Sequence, residues 1–84
     1  MVGTDTIVRD TLRDVLSLPA ERVADFTEET PLFGALPELD SMAVAGLLTE
    51  LEDRLGFVID DDEFDGEMLA TFGNLVAFAD AKRT

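Results

Sequence analysis

The chain has 84 residues, 46% of them hydrophobic, and 19 acidic against 6 basic side chains give it a formal net charge of −13. It contains neither Cys nor His, which excludes disulfides and thiolate nucleophiles and removes the commonest general base. A charge of this sign repels phosphate backbones and anionic membranes, so we expect no binding to nucleic acid. The apolar share is too high for a disordered chain.

No apolar run is long enough to cross a bilayer, so we expect no membrane insertion. Residues 1–10 lack a basic stretch followed by an apolar one, which argues against a signal peptide and favours a cytoplasmic location. A chain of this length predicts one domain, residues 1–84, with a core that is small relative to its surface.

The first amphipathic helix is predicted for residues 4–18, with Pro19 ending it because the residue before a proline disfavours helical geometry. Its apolar side chains follow helical spacing: Ile7, Val8, Leu12, Val15 and Leu16.

Residues 19–40 break this periodicity and predict a long loop, with a short helical turn near residues 20–24. Three prolines and a glycine punctuate the stretch. Apolar residues nevertheless recur through it and predict that the loop is pinned to the core: Val23, Phe26, Leu32, Phe33, Leu36 and Leu39.

The second main helix is predicted for residues 41–55, with Asp40 as its N-cap and Gly56 as the left-handed residue that ends it. Gly46 lies inside this helix and costs about 1 kcal/mol relative to alanine. A short third helix is expected at residues 61–66, and a last helix from an N-cap at Thr71 to Lys82. Together these elements predict an all-α fold, a small four-helix bundle with a long loop between its first two main helices.

The negative charge is concentrated in residues 38–67, which hold 11 acids and one base, Arg54. This segment is either a solvated face or a docking surface for basic partners. The order Asp61, Glu63, Asp65, Gly66 resembles the start of a calcium-binding loop. Position twelve of such a loop requires a bidentate glutamate, and Phe72 occupies it here, so we expect no specific metal site.

Ser41 follows Asp40 directly and opens the second main helix. Its backbone position favours an anion, because helix N-termini present unpaired N–H groups and a partial positive charge. Ser41 is a poor candidate for a nucleophile of its own, since the chain has no His and its one Lys lies near the C-terminus. A serine in this position is either a simple helix-start residue or a site that another enzyme modifies.

The pattern as a whole resembles the acyl carrier protein family. The likeness rests on the size and acidity of the chain, on its long loop, on Asp40-Ser41-Met42 at the head of a helix, and on the segments 48–56 and 71–75. The resemblance implies that Ser41 carries a covalent 4′-phosphopantetheine arm, whose thiol holds acyl groups as thioesters. A chain without Cys then serves thioester chemistry because the prosthetic group brings the sulfur.

The resemblance also implies that the chain is not an enzyme and that its partners have basic docking patches. These are a phosphopantetheinyl transferase and enzymes of the acyl-carrier ligase, acyltransferase or ketosynthase type, with the carrier itself monomeric. The residues that match the family's partner-binding surface are Asp40, Met42, Ala45, Glu52, Asp53 and Asp61. The residues expected to line its acyl pocket are Val44, Leu48 and Phe64.

Two departures from the family pattern lie close to the serine. Ala43 and Gly46 occupy positions where the carriers of general fatty-acid synthesis have acids. This favours a specialised carrier that is dedicated to a particular ligase or acyltransferase. The resemblance itself implies partner enzymes of fatty-acid, polyketide or specialised lipid or polysaccharide biosynthesis. Two alternatives stay open at this point: a peptidyl or aminoacyl carrier of the same fold, and an acidic binding module without a prosthetic group.

Overall fold

Four α-helices and two short 3₁₀ helices make up the computed structural model, which describes residues 3–63 and 65–83. The α-helices are α1 (Thr4–Leu16), α2 (Ala20–Ala24), α3 (Ser41–Leu55) and α4 (Phe72–Arg83). The 3₁₀ helices span Asp61–Glu63 and Gly66–Leu69. The all-α prediction is confirmed, and none of the helices in the described part is both long enough and apolar enough to cross a membrane.

The first helix ends two residues before the predicted position. Ser17 adopts the left-handed conformation, with φ of 55°, and its N–H donates to the carbonyl of Arg13. The N–H of Leu18 donates to the same carbonyl at 3.0 Å. After this turn the side chain of Leu18 is buried in the core, and the helix has already ended at Leu16 when the chain reaches Pro19.

Side chains from α1, α3, α4 and the long loop form one hydrophobic core. The most deeply buried of them include Leu12 of α1, Leu47 and Leu51 of α3, and Phe72 and Leu75 of α4. Four loop residues join this cluster and confirm that the loop is pinned: Phe26, Leu32, Leu36 and Leu39.

The long loop also holds the start of α4 through backbone hydrogen bonds. The N–H of Phe72 donates to the carbonyl of Thr30 at 2.8 Å, and the N–H of Gly73 donates to the carbonyl of Glu28 at 3.0 Å. The first N–H groups of a helix have no acceptor within it, so the loop carbonyls satisfy donors that would otherwise depend on water.

A second pair of bonds joins the loop to the chain just before α4. The N–H groups of Leu32 and Phe33 donate to the carbonyls of Ala70 and Leu69, at 3.1 and 2.9 Å. Phe33 was expected in the core, but its side chain is 50% exposed. Phe33 lies in a turn, because the carbonyl of Leu32 accepts from the N–H groups of Ala35 and Leu36, and this turn leaves the Phe33 side chain on the outside.

Thr71 caps α4 as predicted, because its side-chain oxygen accepts from the N–H of Asn74 at 3.1 Å. An isolated antiparallel bridge pairs Thr71 with Pro31 of the loop. The cap and the bridge fix the register between the loop and the last helix.

The short third helix predicted for residues 61–66 is shorter than expected and is followed by an unpredicted element. A 3₁₀ turn covers Asp61–Glu63, and a second 3₁₀ helix covers Gly66–Leu69. Asp65 separates the two with extended backbone, and its carboxylate accepts from the N–H of Met68 at 3.0 Å. Asp65 thus serves as the cap of a new helix and not as part of the preceding one.

Two helical glycines have opposite surroundings, which predicts opposite effects on stability. An added Cβ at Gly46 would meet Cγ1 of Val15 at 3.8 Å, an ordinary contact, whereas one at Gly73 would meet the carbonyl oxygen of Glu28 at 2.7 Å. We expect Gly46→Ala to raise the free energy of unfolding by about 0.5–1 kcal/mol through helix propensity. We expect Gly73→Ala to lower it by about 1–3 kcal/mol through overpacking.

Urea denaturation of the two variants and the wild type tests this pair, each variant serving as the control for the other. Equal shifts in the two transition midpoints would contradict the close contact between α4 and the loop.

Candidate functional site

Ser41 is the first residue of α3 and is exposed. Asp40 precedes it in extended conformation, with φ of −98° and ψ of −176°, and its Oδ1 accepts from the N–H of Ala43 at 2.8 Å. The carbonyl of Asp40 accepts from the N–H of Val44 at 2.9 Å. Asp40 therefore fixes the first turn of the helix through both its side chain and its backbone, as the sequence predicts for an N-cap.

The surroundings of Ser41 fit a phosphate ester. The Ser41 hydroxyl makes no hydrogen bond within the part of the chain that the structure describes. The first turn of α3 carries no acidic residue, so the partial positive charge of the helix N-terminus is opposed only by the carboxylate of Asp40. An exposed oxygen at such a position accepts a covalent phosphodiester without displacing any structural contact.

An uncharged stripe extends from Ser41 along the exposed face of α3. Met42, Ala45, Gly46 and Thr49 are all exposed and follow the spacing of one helix face. The Met42 side chain is 85% exposed, the largest fraction among the exposed large hydrophobic residues of the described part. Thr49 donates its hydroxyl to the carbonyl of Ala45 at 3.0 Å, and none of the four side chains of the stripe carries a charge.

The two acids expected to dock partners from the second half of α3 differ in their contacts. Asp53 is exposed and makes neither a hydrogen bond nor an ion pair with any described residue. Glu52 is half-buried, and its Oε2 accepts from the N–H of Ile59 at 2.7 Å. Sequence reasoning missed this bond, because nothing in the pattern distinguishes Glu52 from Asp53. The side chain of Asp61 lies outside the described residues.

The predicted acyl-pocket residues are only partly described. Val44 is buried in the core, Leu48 is half-buried against it, and Phe64 lies outside the described residues. The structure has a cavity of about 470 Å³ between α1, the long loop and α4, and an open groove of about 320 Å³ between the 3₁₀ segments and α4. Neither is lined by Val44 or Leu48, so the acyl pocket stays a prediction.

One acid of the cluster after α3, Glu63, forms an ion pair with the last helix. Both carboxylate oxygens of Glu63 bind the ammonium of Lys82, at 2.7 and 2.8 Å. This hydrogen bond, with a second from the backbone of Asp60, lowers the pKa of Glu63 below its ordinary value of 4.5. No group of three acids within residues 3–63 and 65–83 is arranged to hold a metal ion.

A second ionic contact ties α3 to α1. The guanidinium of Arg54 donates to Asp14 at 2.9 Å and to Glu50 at 3.1 Å. Hydrogen bonds from Arg54 and from Arg13 lower the pKa of Asp14. The side of α3 that faces α1 therefore has its charges neutralised, while the side that carries Asp53 does not.

Comparison with known proteins agrees with this geometry. The family described as "Phosphopantetheine attachment site" matches residues 6–79. A holo acyl carrier protein from Nitrosomonas europaea, solved by solution NMR, superimposes with a TM-score of 0.85 at 41% sequence identity, over 98% of this chain and 96% of that chain. The chain belongs to the acyl carrier protein family. No curated protein sequence matches it.

Membership in the acyl carrier protein family gives the chain its general role. Members are non-catalytic carriers with a covalently attached 4′-phosphopantetheine, so the predictions of the family, the cofactor and the absence of an enzymatic activity are confirmed. The role implies interaction with a phosphopantetheinyl transferase and with acyl-processing enzymes. The matched segment includes Ser41 and all four described α-helices in whole or in part.

The Lys82–Glu63 pair predicts a loss of stability in acid. Because the pKa of Glu63 is lowered in the folded chain, the unfolded chain binds more protons as the pH falls. The contribution of the pair is therefore complete above pH 4.5, the ordinary pKa, and disappears as the pH falls through the lower folded value. Asp14 acts in the same direction.

We expect Lys82→Gln to flatten the dependence of the free energy of unfolding on pH between about 5 and 3, since it removes the cation that shifts Glu63. Lys82→Arg, which keeps the charge, is the control. Urea titrations at a series of pH values measure the slope, and parallel curves for wild type and Lys82→Gln would refute the assignment.

Proposed function

We propose that Ser41 is the residue that carries the phosphopantetheine arm, and that the chain presents acyl thioesters to enzymes of fatty-acid, polyketide or specialised lipid or polysaccharide biosynthesis. The observation that carries the proposal is the exposed Ser41 hydroxyl, without a hydrogen-bond partner in the described residues, at the N-terminus of α3. The bound arm supplies a thiol that can hold an acyl group, in a chain that has no Cys.

The residues around Ser41 have a positioning role and no catalytic one. Asp40 holds the first turn of α3 through the N–H of Ala43, so the Ser41 oxygen projects from a fixed helix end. The N-terminal end of the helix favours the negative phosphodiester. An arm attached here begins on a rigid element, which gives partner enzymes a defined point of entry.

The docking surface on α3 is divided into two halves. Met42 and Ala45 offer apolar contact beside Ser41, where Ala43 and Gly46 supply no charge. Asp53 lies about 17 Å from Met42 along the helix axis, because it comes 11 residues later and each residue adds about 1.5 Å. This division favours a partner with an apolar rim at its active-site entrance and basic residues more than one helical turn away. The same division supports a partner enzyme that is dedicated to this carrier over the enzymes of general fatty-acid synthesis.

The acyl group is proposed to rest against the side of α3 that carries Val44 and Leu48. Val44 belongs to the core, and Leu48 lies half-buried at its edge, so a small outward displacement would extend the apolar surface to a bound chain. Phe64, which follows the first 3₁₀ turn in the sequence, completes the proposed lining.

Attachment at Ser41 is tested by intact mass after incubation of the apo chain with coenzyme A, magnesium and a promiscuous phosphopantetheinyl transferase. We expect one adduct on the wild type and none on Ser41→Ala, because that variant lacks the acceptor oxygen. Ser17→Ala is the matched control, since Ser17 is the other serine of the chain and is also exposed. An unmodified wild type, with a transferase shown to be active on another carrier, would disprove the proposal.

Electrostatic docking is tested by charge reversal at Asp53. We expect Asp53→Lys to raise the KM of the transferase for the carrier about fivefold at low salt, for a loss of about 1 kcal/mol. Screening predicts that the effect shrinks towards none at high salt. Glu21→Lys is the control, because it makes the same change of charge at an exposed residue outside α3. Glu21 lies on α2, which packs against α1. An effect of equal size at both salt concentrations would argue against an electrostatic contact.

A further inference from the structure

Glu52 holds the chain at the point where it leaves α3. Its backbone carbonyl accepts from the N–H of Gly56 at 2.9 Å and from the N–H of Phe57 at 3.3 Å. Its carboxylate accepts from the N–H of Ile59 at 2.7 Å. A single residue on the proposed docking helix therefore satisfies three N–H groups of the departing segment.

That segment, residues 57–63, connects α3 to the end of the first 3₁₀ turn, and we refer to it as the strap. Its first half is held by Glu52 through Ile59, and its far end is held by the ion pair between Glu63 and Lys82 of α4. Phe57 and Ile59 of the strap are half-buried, and Phe57 packs against the hydrophobic core. The strap is therefore held by side-chain packing as well as by the bonds at its two ends. The position of the strap depends on a carboxylate at each end.

The Ile59 bond also restricts the Glu52 side chain. A hydrogen bond to an ionised carboxylate is stronger than a neutral one, and 2.7 Å is a short distance for an N–H donor. Oε2 is the bonded atom, while Oε1 accepts from no donor among the described residues. A carboxylate accepts through both oxygens, so Oε1 is available to a second donor without breaking the first bond.

Asp53 shows the difference that this bond makes. It is exposed, and no described residue fixes its carboxylate. A partner cation that pairs with Asp53 must immobilise the side chain on binding, whereas Glu52 is already held in one orientation. The two neighbouring acids therefore contribute to docking through different physical effects.

We propose that the N–H of Ile59 pre-organises Glu52 as a docking residue for an arginine or lysine of the partner enzyme, and that docking at Glu52 is coupled to the order of the strap. The proposal deepens the carrier function and rests on it. Because coupling between two sites is reciprocal, loss of the Ile59 bond weakens docking, and docking strengthens the Ile59 bond. Ile59 is a positioning residue here, acting through Glu52 without contacting the partner.

The direct test removes the Ile59 N–H and leaves every side chain and charge in place. An amide-to-ester replacement at Ile59, introduced by chemical ligation of the full chain, achieves this. The matched control is the same replacement at Val58, whose N–H donates to no acceptor in the described part of the chain. Circular dichroism and thermal unfolding establish that both chains fold.

The readout is the kinetics of phosphopantetheine transfer from coenzyme A by the transferase. We expect the Ile59 ester to raise KM about threefold or more with an unchanged kcat, because an interaction that only aids association changes KM alone. The Val58 ester keeps both constants of the wild type. Equal KM values for the two esters would overturn the coupling, whereas a wild type that is not modified at all would overturn the carrier proposal itself.

Amide hydrogen exchange provides a second measurement that does not depend on the ester folding. We expect exchange at Ile59 to accelerate about tenfold in Glu52→Ala, since the acceptor is lost, and to stay near the wild-type rate in Asp53→Ala. Saturating transferase is expected to slow exchange at Ile59 of the wild type more than at Val58. Unchanged or faster exchange at Ile59 in the complex would refute the proposal.

Discussion

The backbone pairing between the long loop and the start of α4 is the constraint on which the rest of the structure depends. Carbonyl groups of Glu28 and Thr30 receive the first N–H groups of α4, and loop N–H groups return two bonds to residues 69 and 70. A chain of 84 residues has few apolar side chains to spare, and here the irregular segment supplies part of the core and satisfies part of a helix. With that segment anchored, the residue that follows it, Ser41, has a fixed position at the head of α3.

The functional surface depends on how α3 divides its faces. One face supplies Leu47 and Leu51 to the core, a second is tied to α1 by Arg54, and a third remains open to partners. The open face begins with an uncharged stripe and ends in acids. In the docking proposed above, long-range attraction and short-range fit belong to separate turns of one helix: charge would guide the approach, and apolar contact near the serine would complete it.

Most of the helices and the candidate serine could be predicted from the sequence, because local signals specify them. Helical spacing of apolar residues, a capping acid at Asp40 and a left-handed glycine at Gly56 each act within a few positions. The errors arise where contacts are distant or competing. A left-handed Ser17 ends α1 two residues before the limit expected from Pro19, and Asp65 caps a new 3₁₀ helix instead of ending an old one. The Glu52–Ile59 bond could not be predicted, since the sequence does not show whether Glu52 or its neighbour Asp53 would accept the Ile59 N–H.

The intramolecular pairing of the basic side chains affects how copies of this chain interact with one another. All six are occupied within their own molecule: Arg9 binds Asp5 and lies over the Phe72 ring, Arg54 and Lys82 hold acids, and the others are likewise engaged. The formal net charge of −13 is therefore displayed with no Lys or Arg side chain left unengaged in the described part of the chain. In colloidal terms the average force between copies is repulsive. At high concentration this repulsion opposes self-association, so the acidic face of each copy stays exposed to solvent.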